Sequence, residues 1–283
     1  MDLEHYLDAK NTSPLASAIK SAWAVFNQTI QMYPLDEICI GFNGGKDCTA
    51  VLHLYVAFIK KYFPDNTKSI TGLYLKNANP FEEAQEFIKN CEANYNLSMI
   101  VISASIKEGL ENLKETHPNI KAVIMGTKRH DPYSSQLKCF TMTDASWPSY
   151  MRVFPILDWS YGEVWDFLRT FDLPYCQLYD EGYTSLGDPK NTVKNKSLLL
   201  SNGRYSPAYM LPEDSLEREG REKKWLISFS FKVHSIFEIR FLHGFTLILN
   251  LTLLYSSISL DAINSCSQMT TKQPRDHFTI ISF

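Results

Sequence analysis

The chain has 283 residues and is 45% hydrophobic, which suits one medium α/β domain with a sizeable core and an appendage. Lys and Arg number 28 against 31 Asp and Glu, a formal net charge of -3 with a pI near 6.2, so no global basic excess argues for a nucleic-acid partner. The six cysteines form no CxxC pair and have no zinc-ligand spacing; in a chain of this length they read as reduced cytoplasmic thiols.

The N-terminal stretch carries Asp2, Glu4 and Asp8 and no apolar core, unlike a signal peptide or a mitochondrial presequence. Ser13-Pro14 then caps and opens a helix on which Leu15, Ala18, Ile19, Ala22, Val25 and Phe26 recur at helical spacing. Ile38 to Phe42 is a short apolar run ending in glycines, expected as a buried strand. A long apolar-faced helix follows from Asp47 to Phe63, stopped by Pro64. A strand is expected over 69–75, a helix opened by Asn79-Pro80 through about Tyr95, and a strand over 99–103. A helix over 105–116 precedes a fourth strand at 122–125 and a fifth at 151–157. Ser160 and Glu163 form a capping box for a helix through Phe171. The alternation predicts a Rossmann-like parallel α/β sheet with helices on both faces, which binds ligands at the carboxyl ends of its strands.

Chemistry-bearing segments fall just after strands. Gly41-Phe42-Asn43-Gly44-Gly45-Lys46-Asp47-Cys48 joins the first strand to its helix. Glycines let the backbone approach a phosphate, the helix N-terminus presents free N–H groups, and Lys46 adds a charge. The dinucleotide pattern GxGxxG fails, because Phe42 and Asn43 follow Gly41. The GxxxxGK[ST] pattern also fails: residue 40 is Ile, and Asp47 stands where Ser or Thr is required. The loop resembles the pyrophosphate loop of the ATP pyrophosphatase superfamily, written SGGKDS, with Asn43 for its first Ser and Cys48 for its last.

Further along come Met125-Gly126-Thr127-Lys128-Arg129-His130-Asp131-Pro132-Tyr133, Asp144-Ala145-Ser146-Trp147-Pro148, Arg152 to Trp159, Tyr183 to Gly187 and Glu217-Arg218-Glu219-Gly220-Arg221. This series, from about residue 14 to 221, resembles the eukaryotic, fungal-like FAD synthases of the sulfonucleotide-reductase-like fold. The resemblance implies an adenine nucleotide alpha hydrolase-like sheet and transfer of AMP from ATP to FMN, giving FAD and pyrophosphate. It implies that Asn43, Gly44, Gly45, Lys46 and Asp47 hold ATP phosphates. Ile40, Phe42, Met125 and Gly126 would line the nucleotide pocket, and Asp47 and Asp131 would work with Mg2+. Arg129, Asp144 and Trp147 would hold the flavin, and Arg218 and Arg221 the FMN phosphate. Asn43, Asp47, Asp131, Arg218 and Arg221 are the expected catalytic set.

The residues themselves leave alternatives open. Asp131 could bind Mg2+ or cap the turn before Pro132. Trp147 could stack on the isoalloxazine ring or pack under a long loop. Arg218 and Arg221, three apart, would share a helix face, which suits a phosphate, or belong to a solvated charged helix over 215–224. A sulfonucleotide reductase needs a redox cysteine in a C-terminal segment, and Cys266 stands alone without the flanking pattern. A tRNA thiolase would want paired cysteines or a basic surface. A catalytically silent flavin- or nucleotide-binding protein is the non-enzyme alternative. The expected partners are the small molecules ATP and FMN, with no nucleic acid, on a cytoplasmic monomer.

Residues 1–224 read as the catalytic domain and 225–283 as a divergent tail. The run Phe241 to Leu260 has no Asp, Glu, Lys or Arg, but His243, Asn250 and several Ser and Thr make it a weak membrane span. A membrane anchor, a folded extension and a gene-model artefact are the three readings of that tail, the last favoured.

Overall fold

Helix α2 (Pro14–Met32) starts where Ser13 Oγ accepts the Ala16 N–H at 3.2 Å, and it buries Ile19, Ala22 and Phe26 completely. This computed structural model describes residues 3–7, 11–76 and 78–221. Before α2 lies one turn of helix, α1 (Leu3–Tyr6). Next come β1 (Ile38–Gly41), α3 (Lys46–Tyr62), β2 (Ile70–Leu75), α4 (Glu82–Asn94), β3 (Leu97–Ile102), α5 (Ile106–Thr116) and β4 (Ala122–Ile124). The series ends with β5 (Phe140–Met142), β6 (Met151–Val153) and α6 (Tyr161–Thr170), followed by short 3-10 turns.

The strands form one sheet in the order β3-β2-β1-β4-β6-β5. All pairs are parallel except β5 with β6. From β1 the chain moves outward through β2 and β3, then returns to place β4 on the other side of β1. The β1/β4 junction is therefore the topological switch point, where the loops after adjacent strands part and leave a crevice.

Strand alternation sorts the core. Ile38, Ile40, Ala122 and Ile124 face a cluster supplied by α2, α3, α4 and α6. Cys39, Leu73, Leu75 and Val123 face a smaller one with Leu110 and Leu113 of α5 and with Tyr150 and Phe154. Helix α3, buried on nearly every side, reads as an apolar run because it lies between the sheet and both α2 and α6.

Several expected boundaries shift. The strand expected over 151–157 ends at Val153: the Phe154 N–H crosses to Cys139 O at 2.9 Å, and Pro155 has no N–H to continue a ladder. Asn79-Pro80 does not open α4, which starts two residues after Pro80 with Phe81 at its N-cap. The sheet is not wholly parallel, because the three-residue edge strand β5 runs antiparallel. The charged helix over 215–224 is absent from the described part of that segment. Asp214–Leu216 makes one 3-10 turn, and a second turn through Gly220 follows. The tail from 225, with the run 241–260, lies outside the described residues. Among those described, no helix is long and apolar enough to cross a membrane.

Candidate active site

The loop after β1 turns at Gly44, whose φ of +76° is a conformation that side-chain-bearing residues rarely adopt. Asn43 Oδ1 stabilises the turn by accepting the Gly45 N–H at 3.0 Å, and it lies 3.0 Å from Cys48 Sγ. Helix α3 begins with Gly45 at its N-cap and no capping side chain. The Lys46 N–H donates to Tyr179 Oη at 2.8 Å. An uncapped N-terminus at the carboxyl edge of a parallel sheet suits an anion.

The loop after β4 lies directly against this turn. A Cβ on Gly126 would come within 2.6 Å of Cys48 N and 2.7 Å of the Asp47 carbonyl carbon, so only glycine lets the two backbones touch. That contact brings Lys128 to α3. Lys128 Nζ donates to Asp47 Oδ1 at 2.6 Å, and Lys46 Nζ donates to Asp47 Oδ2 at 2.9 Å. Both ammonium groups also reach Glu217 Oε1, Lys46 in direct contact and Lys128 at 3.4 Å. The lysine side chains are 1% exposed, those of Asp47 22% and Glu217 11%, so this four-member network lies at the floor of the crevice.

Burial by itself raises the Asp47 pKa, but Lys128 and then Lys46 outweigh it and hold the carboxyl at about 2. Burial likewise works against the Lys46 charge, and Asp47 and Glu217 reverse it, carrying the ammonium well above its ordinary value. Asp131 differs. Burial raises its pKa, Lys128 pulls the other way, and the nearby negative charges of Asp47 and Glu217 leave it raised. Asp131 Oδ2 accepts the Lys128 N–H at 2.8 Å, a turn-closing contact, while Oδ1 faces Arg218 Nη1 at 3.8 Å.

Arg218 and Arg221 are not carried on a helix face. They are linked by a turn in which the Arg221 N–H donates to Arg218 O at 3.0 Å. Arg221 Nη1 donates to Leu186 O at 2.6 Å and lies 3.2 Å from Ser185 Oγ. Burial, and after it the Arg218 charge, lowers the Arg221 pKa.

The structure thus brings Asn43, Gly44, Gly45, Lys46, Asp47, Gly126, Asp131 and Arg218 to the switch point, with Arg221 beside Arg218. Of the other expected residues, some lie beside this point with buried side chains and some lie apart from it. Ile40 and Phe42 have no accessible surface and Met125 is 1% exposed; all three are core residues, offering a nucleotide no open side chain. Arg129 pairs with Asp158 Oδ1 at 2.6 Å and donates to Ser135 O and Leu137 O, bracing the loop after β4. Trp147 is half-buried against the α5-side core, and exposed Asp144 lies 3.9 Å from Arg152. Among the described residues, no hydrogen bond or ion pair joins Arg129, Asp144 or Trp147 to the phosphate loop. Sequence reasoning missed Lys128 and Glu217. Each stands inside a quoted motif, but nothing in the spacing says that 46, 128 and 217 converge.

A mostly parallel sheet with a Gly-Gly-Lys-Asp turn at its switch point is the kind of frame that suits nucleotide phosphates. The family model of the phosphoadenosine phosphosulfate reductase domain matches residues 37–194, more than half of the chain. A probable FAD synthase of Schizosaccharomyces pombe is 38% identical over 195 residues, covering 68% of this chain and 74% of that protein. One from Caenorhabditis briggsae is 39% identical over 220 residues; the match takes in 76% of this chain but only 42% of that longer relative. The crystal structure of Candida glabrata FMN adenylyltransferase with FMN and an ATP analogue superposes with a TM-score of 0.71 at 26% identity, covering 77% of this chain and 95% of that one. The chain belongs to the phosphoadenosine phosphosulfate reductase domain family and, within it, to the FAD synthases.

Proposed function

We propose that this protein is an FMN adenylyltransferase, which transfers AMP from ATP to FMN and releases pyrophosphate. The observation that carries the reading is the convergence of the Asn43–Asp47 turn, Asp131 and Arg218 on one crevice at the β1/β4 switch point. The relatives named FAD synthase and the adenylyltransferase complexed with FMN and an ATP analogue support it. In this reading a phosphate oxygen of FMN attacks the α-phosphorus of ATP. The new P–O bond forms as the bond from that phosphorus to the β-phosphate's bridging oxygen breaks. The nucleophile is already anionic near neutral pH, so the protein supplies position and charge rather than a strong base.

The Asn43–Gly45 turn and the α3 N-terminus receive the phosphates that leave, and Arg218 and Arg221 receive the phosphate of FMN. Trp147 and Asp144, exposed or half-exposed on the loop before β6, supply the flavin's contacts, and Arg129 braces the preceding loop between β4 and β5. The donor set fits Mg2+ bound together with ATP. Mg2+ needs only one or two carboxylates beside substrate phosphates, and Asp131 Oδ1 and the remaining lone pairs of Asp47 offer that much. Bound there, Mg2+ would supply neutralisation of phosphate charge.

A cytoplasmic location and a catalytic domain ending at 224 belong to the same reading. The free thiols of Cys39, Cys48, Cys91, Cys139 and Cys176 support the former. Incubation with ATP, Mg2+ and FMN, followed by chromatography, tests the activity: FAD and pyrophosphate appear in equal amounts. A protein that binds both substrates without forming FAD would be the silent binder instead.

A further inference from the structure

We infer that Glu217 is a positioning residue for the phosphate loop, holding Lys46 and Lys128 side by side where ATP phosphates arrive; the inference rests on the ATP-binding part of the function proposed above.

Two ammonium groups buried at 1% exposure share one acceptor, Glu217 Oε1. Without it, Asp47 alone would have to offset both. The four side chains sum to zero charge only with Glu217 ionised, and buried charges persist only when paired.

The backbone beneath Glu217 is fixed at three points, two of them through buried polar groups. Thr184, 1% exposed, donates its Oγ1–H to Glu217 O at 2.7 Å. Asn195, with no exposure, donates from Nδ2 to Leu216 O at 2.8 Å and to Thr184 Oγ1 at 2.9 Å. Asp214 Oδ2 accepts the Tyr161 N–H at 3.0 Å, tying the segment to the first turn of α6. Tyr161 also presents its ring 4.9 Å from Lys46 Nζ. A carboxylate delivered from so rigid a segment does not swing with the ligand. It preorganises the cations, which the phosphates then meet without rearrangement. Thr184 and Asn195 are accordingly positioning residues one step further out.

The test is Glu217→Gln in the full chain, with the dissociation constant of Mg-ATP measured by calorimetry and that of FMN by flavin fluorescence. ATP affinity falls at least about tenfold while FMN affinity changes less than about twofold. Thr184→Val, which removes the support of the Glu217 carbonyl, weakens ATP in the same selective way, and Thr184→Ser restores it. ATP binding as tight as in the parent protein, or tighter, would overturn the inference, because the carboxylate would then be idle or a competitor of phosphate. Equal losses for both ligands would reduce Glu217 to a general structural role. If Glu217→Gln fails to fold, the Thr184 pair decides: Thr184→Val with unchanged ATP affinity sinks the idea. Because binding is read directly, a parent protein that makes no FAD would refute the proposed activity without touching this result.

Discussion

Asp47 is the carboxylate on which both buried lysines meet, and its depressed pKa fixes a pH signature. A carboxyl lowered from the ordinary 3.8 to about 2 stabilises the fold fully above about pH 4, and that contribution is lost as pH falls toward about 2. Asp47→Asn therefore costs roughly 2 kcal/mol at pH 7. The gap from the parent protein in urea titrations stays constant between pH 7 and about 5, then closes in acid. A gap that widened in acid would mean that the carboxylate is not the group stabilising the lysines. Arg218 makes a different prediction. Its nearest acid is Asp131 at 3.8 Å, beyond a hydrogen bond, and the side chain is 32% exposed, so it is available to a ligand. Arg218→Ala weakens FMN about tenfold or more, the size expected for a lost charged hydrogen bond. Riboflavin, which lacks the phosphate, binds the variant as it binds the parent in the same fluorescence titration. Equal weakening of both would exclude the phosphate as its target.

The packing of the loop after β4 on the start of α3 makes the crevice, and Gly126 is where they touch. Gly126→Ala places a Cβ against main-chain atoms of Asp47 and Cys48, which cannot turn aside as a side chain could. It costs about 1–3 kcal/mol, visible as a lower Tm, and it weakens ATP binding beyond what the fall in Tm explains. Unchanged Tm and ATP affinity would mean that the two segments separate freely. Elements of this kind were legible because their signals are local. The Ser13, Ser105 and Ser160 starts, the 3.6-residue spacing and the apolar strand runs specify α2, α5, α6 and the parallel strands from neighbouring residues alone. Strand β5 was not legible: three half-buried or exposed residues at a sheet edge carry no alternation to speak of, and they pair with β6 across the loop over 143–150, which lacks the short glycine turn that marks a hairpin in sequence. The arginine pair failed for a related reason. Spacing suggested a helix, but Gly220 packs its α-carbon against Val193 O, and a tertiary contact overrode the local propensity. In the site, the turn and Asp131 could be read because each sits after a strand. Convergence of Lys46, Lys128 and Glu217 from three segments is a property of the closed fold.

The described residues contain every group assigned here to ATP or FMN, and the last of them, Arg221, is held from both sides. Its N–H bonds back to Arg218, its guanidinium reaches Leu186 O, and Thr192 pairs with it in an isolated bridge. The Val193 N–H also donates to Gly220 O at 2.8 Å, so the end of the catalytic segment is knitted into the loop over 184–195. None of these contacts needs a residue beyond 221. A chain stopped after Lys224 is therefore expected to fold and to form FAD at a rate within about twofold of the full chain, with the same affinity for FMN. The comparison requires circular dichroism and a thermal melt on both proteins, so that lost activity is separated from lost structure. Equal melts with FAD formation abolished would mean that residues 225–283 supply a group to the reaction. A melt lowered by more than about 5 °C, with activity retained at low temperature, would make the tail a folded extension that stabilises the domain. Retained activity and an unchanged melt leave the run 241–260 without a catalytic duty. Sequencing the transcript across the codon for Lys224 then tells a membrane anchor from an artefact of the gene model, since only the anchor requires the message to carry that run.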